Sequence, residues 1–226
     1  MLLWEEANKT LDKDSVHTNT HLSAYEEHDN KIIATFIHKK TNEFLFIEEA
    51  DILIGADGIN SELRKILYPN EGEVVYSGNV LYRGTALMRP YLSAASMAMI
   101  GSLKQKMVIY PIERELDSDG LQVINWVANI READNSGIKI RDWNRRVGKE
   151  KLLTFYKNWI FEWIDIPEMI EKTNGGIFEF PMSDRDPLDR WSFGRVSLLG
   201  DAAHPMYPIG SNGASQAILD AEALTI

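Results

Sequence analysis

An apolar run, Arg195-Val196-Ser197-Leu198-Leu199-Gly200, leads into Asp201, two alanines and the pair His204-Pro205. Glycines recur at 210 and 213, and a helix is expected from about Ser211 to Leu224. Such a strand delivers a carboxylate to the carboxyl end of a sheet, which is where open α/β sheets bind ligands. Gly200, Ala202 and Ala203 keep the surroundings small, so a ligand can approach the backbone; Gly210 and Gly213 do the same at the mouth of the helix. The first amides of that helix have no internal partner, and the helix dipole makes its start electropositive. A carboxylate facing hydroxyls, beside a helix start facing an anion or an electron-rich carbonyl, narrows both the fold and the ligand.

A second stretch has the same character. Ala50-Asp51-Ile52-Leu53-Ile54-Gly55-Ala56-Asp57-Gly58 reads as a buried strand with a tight exit. Asn60 or Ser61 can cap a helix running to about Leu67, which Tyr68-Pro69-Asn70 ends. Before it lie a helix tail over Leu2–Leu11, a short strand over Val16–Leu22, and a hairpin of Lys31–Lys39 with Glu43–Ile47. From about Val80 strands dominate, at Leu81–Met88, Lys106–Ile112, Leu121–Ile130 and Ile177–Pro181. Asp134–Gly148 is polar and loop-like. Lys149–Trp163 reads as one helix with Leu152, Leu153, Tyr156, Trp159, Ile160 and Trp163 on its apolar face. Two α/β pieces therefore flank a different, mostly antiparallel middle. This pattern predicts an α/β domain built from residues 1–78 and 183–226, interrupted by an inserted α+β domain over 79–182.

Composition removes several classes. With no cysteine there is no disulfide, thiolate metal site or cysteine nucleophile, and no His or carboxylate grouping has a convincing metal-site spacing. Thirty-four acidic against 24 basic residues give a formal charge of −10, which opposes nucleic-acid binding. No apolar run approaches the roughly 18–20 residues of a membrane span. Met1–Thr10 has no basic start or apolar core of a secretory signal, so a cytoplasmic protein is expected.

The stretch around Gly200-Asp201-Ala202-Ala203-His204-Pro205 resembles the second flavin motif of the FAD-dependent aromatic-ring monooxygenases related to para-hydroxybenzoate and salicylate hydroxylase. Gly55-Ala56-Asp57-Gly58-Ile59-Asn60-Ser61-Glu62-Leu63-Arg64 resembles the Asp-Gly motif of the same family, in the family's order. Asn125-Trp126-Val127, Asp142-Trp143-Asn144-Arg145, Pro181–Leu188 and Met206–Gln216 resemble the phenazine-hydroxylase branch. The resemblance implies a partial Rossmann-like FAD-binding domain around a β-sheet substrate domain. It implies that Asp201 holds the ribityl chain, that Pro208 lies against the isoalloxazine, and that Gly213, Ala214 and Ser215 present amides to its pyrimidine edge. It places Gly200 and Gly210 in the same cofactor site, Asp57 and Gly58 at the FAD ribose or diphosphate, and Arg64 as a brace of the Asp-Gly loop. NAD(P)H is the implied electron donor and an aromatic, acidic small molecule the implied substrate, with Arg83, Tyr110 and Tyr207 as candidate contacts.

Ser215 stands where many relatives have asparagine. The Gly-x-Gly-x-x-Gly turn that seats the FAD pyrophosphate does not occur in the sequence. The expectation is thus a chain truncated at both ends, with exposed sheet edges that invite oligomers. Two alternatives stay open: an inactive fragment of such a flavoenzyme, or a reductase or epoxidase of the same superfamily. His204 is expected to pack or hydrogen-bond rather than act as a base, and Arg185 and Asp186 to anchor a junction.

Overall fold

The computed structural model describes residues 2–132 and 145–225. In chain order the elements are α1 (Leu2–Thr10), β1 (Thr20–His28), β2 (Lys31–His38), β3 (Phe44–Ala50), β4 (Leu53–Gly55) and α2 (Glu62–Leu67). Then come β5 (Val75–Met88), β6 (Ala98–Gly101), β7 (Gln105–Pro111), β8 (Gln122–Arg131) and β9 (Arg146–Val147). They are followed by α3 (Lys149–Tyr156), β10 (Ile160–Phe161), β11 (Ile164–Asp165), α4 (Ile166–Glu171) and β12 (Thr173–Asp184). The chain ends with β13 (Ser192–Phe193), β14 (Val196–Leu198) and α5 (Gly213–Ala223). Contacts divide it into two compact units, Val75–Asp184 and the two stretches that flank it. Among the described residues no helix is long and apolar enough to cross a membrane.

The flanking unit holds an antiparallel meander, β1-β2-β3, and a small sheet ordered β13-β14-β4. β14 and β4 are parallel, with Leu198 opposite Gly55. A Cβ on Gly55 would lie 2.7 Å from Leu63 and 3.0 Å from Leu198. Only glycine lets strand and helix close at this point, and the core of Ile32, Leu63, Val196, Leu198, Ala202 and Ala203 forms around it.

The inserted unit is built on a six-stranded antiparallel sheet, β6-β7-β8-β5-β12-β9. Tyr82 and Ala86 of β5, Trp126 and Ala128 of β8, and Met107 and Ile109 of β7 share a core with Leu152 and Tyr156 of α3 and Met169 and Ile170 of α4. Alternate residues such as Arg83, Val108 and Val127 lie on the other face, as the period of two requires.

The single helix expected over Lys149–Trp163 is corrected: α3 ends at Tyr156. The Trp159 amide donates to Tyr156 O at 2.9 Å, and β10 and β11 then form a two-residue hairpin. Asp165, accepting from the Glu168 amide at 2.8 Å, and Pro167 in the first turn start α4, an element absent from the sequence reading. Trp159 and Trp163 still pack on the same core. The first strand occupies Thr20–His28 rather than Val16–Leu22, and β6 was not expected. Asp142-Trp143-Asn144 and most of the polar stretch Asp134–Gly148 lie outside the described residues.

The inserted unit should be sensitive to base. Burial, with Glu132 and Glu179 nearby, pushes the Tyr76 phenol up to about 12, and burial alone pushes Tyr91 up to about 12. Burial drives Tyr82 and Tyr156 further in the same direction, Tyr82 with the help of its hydrogen bond to Glu132. The folded state therefore holds these protons more tightly than the unfolded chain. Their stabilisation is complete below about pH 10 and is lost as pH rises from there through about 12. Circular dichroism and phenolate absorbance are expected to change together in that window. Unfolding complete well below pH 10 would refute the expectation.

Candidate functional site

The expected cofactor residues of the flanking unit gather at the ends of β4 and β14. Leu199 N donates to Gly55 O at 2.9 Å, which carries the parallel pairing to the point where both chains turn. Gly200 then adopts φ +59 and opens a 3-10 turn over Gly200–Ala202. Gly200 must be small for a second reason, since an added Cβ would sit 3.1 Å from the Cβ of Ala217 in α5. Asp220, one turn further along α5, accepts from the Gly200 amide at 2.9 Å and from His204 Nε2 at 2.6 Å. The Trp191 ring lies 4.7 Å from that of His204. His204 is thus a hydrogen-bonding residue that fixes the turn to α5.

This clasp sets Asp201 against the start of α5. Asp201 is exposed and, among the described residues, its carboxylate has no protein partner. Its Oδ1 lies 3.8 Å from the position a Cβ on Gly213 would take, which sets the carboxylate beside the helix mouth. Asn212, the N-cap of α5, makes no side-chain cap bond. The amides of Gly213, Ala214 and Ser215 precede the first i→i−4 bond, which is made by Gln216 to Asn212 O at 2.9 Å. Pro208–Gly210 forms a 3-10 turn just before, with Pro208 and Gly210 exposed and Tyr207 half-buried. An acceptor and a row of uncapped donors at one helix mouth match a ligand with both hydroxyls and an electron-rich edge. The residues present fit the ribityl and ring portions of a flavin.

Arg64, placed by the resemblance as a brace of the Asp-Gly loop, is engaged by groups of the protein itself. Its side chain is 1% exposed and all five of its N–H groups are used within the protein. Nη1 donates to Ala202 O at 3.0 Å and Ala203 O at 2.9 Å. Nη2 donates to Asp186 O at 3.1 Å and to Glu71, and Nε donates to both Glu71 oxygens at 3.0 and 2.9 Å. Arg64 is a positioning residue that ties α2 to the turn bearing Asp201. Arg185 adds to the same hub through Ile59 O at 2.8 Å, Glu71 at 3.1 Å and Gly72 O at 3.2 Å.

Asp57 also has a local task, accepting from the Glu62 amide at 2.8 Å, while Ser61 accepts from the Arg64 amide at 3.0 Å. Gly58 has φ +80, and an added Cβ would meet nothing within 4 Å, so conformation rather than crowding requires glycine. Asp220 and Glu71 were missed from sequence. Asp220 sits three residues after Ala217, hence on the same helix face, which was the available signal.

Arg83 and Tyr110 belong to the inserted unit, on β5 and β7. Arg83 is exposed, opposite Val127 of β8 and Phe178 of β12, while Tyr110 is half-buried opposite Asn125. Among the described residues no group of three or more metal-ligating side chains forms.

A family model described as FAD binding domain matches residues 2–226. Phenazine 1,6-dicarboxylic acid hydroxylase of Lysobacter antibioticus is 34% identical over 226 residues, covering 99% of this chain and 55% of its own length. The 6-hydroxynicotinate 3-monooxygenase of Bordetella bronchiseptica is 34% identical over 185 residues, 79% of this chain and 44% of its own length. Among solved structures, Klebsiella pneumoniae HpxO complexed with FAD and uric acid aligns with a TM-score of 0.75 at 21% identity, over 99% of this chain and 52% of that one. The chain thus spans about half the length of the relatives it matches. On the match over residues 2–226, the chain belongs to the family described as FAD binding domain.

Proposed function

We propose that this chain is part of an FAD-dependent monooxygenase that hydroxylates an aromatic, acidic small molecule with NAD(P)H and O2. The observation that carries the reading is the open Asp201 carboxylate beside the uncapped start of α5. In this reading the flanking unit binds FAD and the inserted unit meets the substrate. Asp201 accepts from the ribityl hydroxyls, and Pro208 lies along the ring. The amides of Gly213, Ala214 and Ser215 face the pyrimidine edge, where the helix dipole favours negative charge. Asp57 and Gly58 stand toward the ribose and diphosphate, with Asp57 keeping one oxygen on the Glu62 amide. Arg64 and the His204–Asp220 pair hold the turn still. Arg83, Tyr110 and Tyr207 are proposed substrate contacts. When bound, FAD supplies the redox chemistry that moves one oxygen atom onto the ring; the chain's residues orient the ring and stabilise charge without a nucleophile.

The test is a titration of the 226-residue chain with FAD, followed by flavin fluorescence, beside Asp201→Ala. Hydrogen bonds to a charged group contribute about 1.5–3 kcal/mol, so the variant should bind at least about tenfold more weakly. Equal affinity in the two proteins would remove Asp201 from the site. Failure of both to bind would favour the reading in which the chain is an inactive fragment.

A further inference from the structure

One edge of the inserted sheet carries none of the devices that keep edges apart. β6 bonds to β7 alone, so among the described residues its outer side meets no strand. Ser102 N donates to Gln105 O at 2.8 Å where the two strands turn. By the alternation of an antiparallel ladder, the amide and carbonyl of Met99 then point away from β7. Charge, proline or a bulge blunts most such edges. Residues 96–103 include no charged residue and no proline, and the ladder from Ala98 to Gly101 has no register shift. The other free edges differ. β1 carries Glu26 and Glu27, β3 carries Glu48 and Glu49, and β4, β9 and β13 are only two or three residues long.

The side chains repeat the pattern. Ala98 and Ile100 pack on the core of the inserted unit. Met97 and Met99, on the opposite face, are 63% and 62% exposed, and Leu103 at the turn is 90% exposed. The entry to the strand is held in one shape. Leu92 and Ala94 take φ +47 and +61, a conformation that persists only where the surroundings impose it. Buried Tyr91 reaches Ile109 O at 2.9 Å, and Gln122 Nε2 donates to Ala94 O at 3.0 Å and Glu113 O at 2.8 Å. Charge is divided between the ends of the strand. At the entry, Glu113, Glu115, Asp117 and Asp119 are exposed with Arg89 and Arg114. At the exit, Lys104 is exposed.

We propose that β6 is a self-association edge, on which β6 of a second copy pairs antiparallel about a two-fold axis and joins the two six-stranded sheets into one. Antiparallel pairing sets the Lys104 end of one copy beside the acidic end of the other, at both ends of the joint. Parallel pairing would set like charge beside like. The contact uses the free β6 edge of both copies, so it is isologous and closes at a dimer. Pairing about Ile100 places Met97 opposite Leu103 of the second copy and Met99 opposite its Gly101, which leaves room for the longer side chain. It also lets the outward amide and carbonyl of Met99 bond across the joint.

The experiment is sedimentation velocity of the full chain, Met99→Lys, Met99→Pro and Lys104→Glu, from low micromolar to near-millimolar concentration. The wild-type chain should reach a dimer and stop there. Met99→Lys puts one ammonium from each copy into the joint and should raise the dissociation constant at least about tenfold. Met99→Pro should do the same, because the amide at that position faces outward and its loss removes no bond to β7. Lys104→Glu should weaken the dimer about threefold at low salt and leave it unchanged at high salt, where exposed charges are screened. A monomer at every concentration, growth past the dimer, or a dimer unmoved by both Met99 variants would each overturn the edge. A Lys104→Glu dimer as tight as the wild type at low salt would overturn the antiparallel order. Unchanged fluorescence of buried Trp126 is the control that the variants keep their sheet. No flavin enters the measurement, so its outcome is independent of the flavin reading.

Discussion

Replacing Arg64 by alanine is expected to cost the flanking unit about 3–5 kcal/mol, the usual effect of breaking one side of a buried charge pair. Two things fail at once. Glu71 keeps only its contact to Arg185, at 3.1 Å. The carbonyls of Ala202 and Ala203 lose their donor at buried positions, and each such loss costs about 1–3 kcal/mol before relaxation; Asp186, an exposed residue, loses its donor where water can replace it. The sum exceeds the stability of many domains, so partial relaxation or entry of water must recover some of it. Arg64→Lys should not rescue the unit, since an ammonium cannot reach carbonyls on one side and a carboxylate on the other in a planar fork.

Because the chain comprises two units, one unfolding midpoint would blur the outcome. Amide exchange read peptide by peptide is the better measurement. Protection should fall in β4, α2 and the Gly200–Ala203 turn and persist in β7 and β8. Unchanged exchange in the turn would show that Arg64 does not hold it. FAD affinity should fall in parallel, although Arg64 offers no donor to the cofactor.

The contrast between Arg64 and Asp201 shows what could be read from the chain without coordinates. The run into Gly200 and Asp201 is local: an apolar strand, a small-residue turn and a helix start lie within thirty residues, and their physical roles follow from order alone. The fold class follows in the same way from two similar pieces around a strand-rich middle. Arg64 is not local. Besides the nearby Glu71, two of its partners lie 138 and 139 residues away, and they are backbone carbonyls, which carry no side-chain signature. The resemblance implies a brace at Arg64, but the sequence does not show which carbonyls it holds.

The helix over Lys149–Trp163 failed for a different reason. Its apolar residues do face one core, but Trp159 and Trp163 reach it from a hairpin, and a 3.6-residue period does not reveal that change of backbone.

Glu179→Ala should destabilise the inserted unit by about 3 kcal/mol. Glu179 is 0% exposed and stands opposite Tyr82 in the β12–β5 ladder. Its Oε1 accepts from Tyr82 Oη at 3.0 Å and lies 3.1 Å from Lys151 Nζ, while Oε2 lies 2.7 Å from Arg145 Nε. Glu132 completes the cluster, 2.5 Å from Tyr82 Oη and 2.9 Å from Lys151. Two carboxylates thus balance two cations around one phenol. Removal of the buried carboxylate leaves a net positive cluster. Lys151 and Arg145 are each 36% exposed at the side chain, so water recovers part of the loss and the cost falls at the lower end of the buried-pair range. Glutamine is no remedy, because its amide group turns two donors toward an ammonium and a guanidinium. Lys151→Met should cost less than Glu179→Ala, since Arg145 still neutralises Glu179. The two changes together should cost less than their sum by about 1 kcal/mol or more, because the second no longer breaks an intact pair. Thermal unfolding of the four proteins, followed by tryptophan fluorescence to report on buried Trp126, supplies the cycle. Additive losses would mean that Lys151 and Glu179 are neighbours without mutual stabilisation, and the integrity of the sheet would then rest on its apolar core alone.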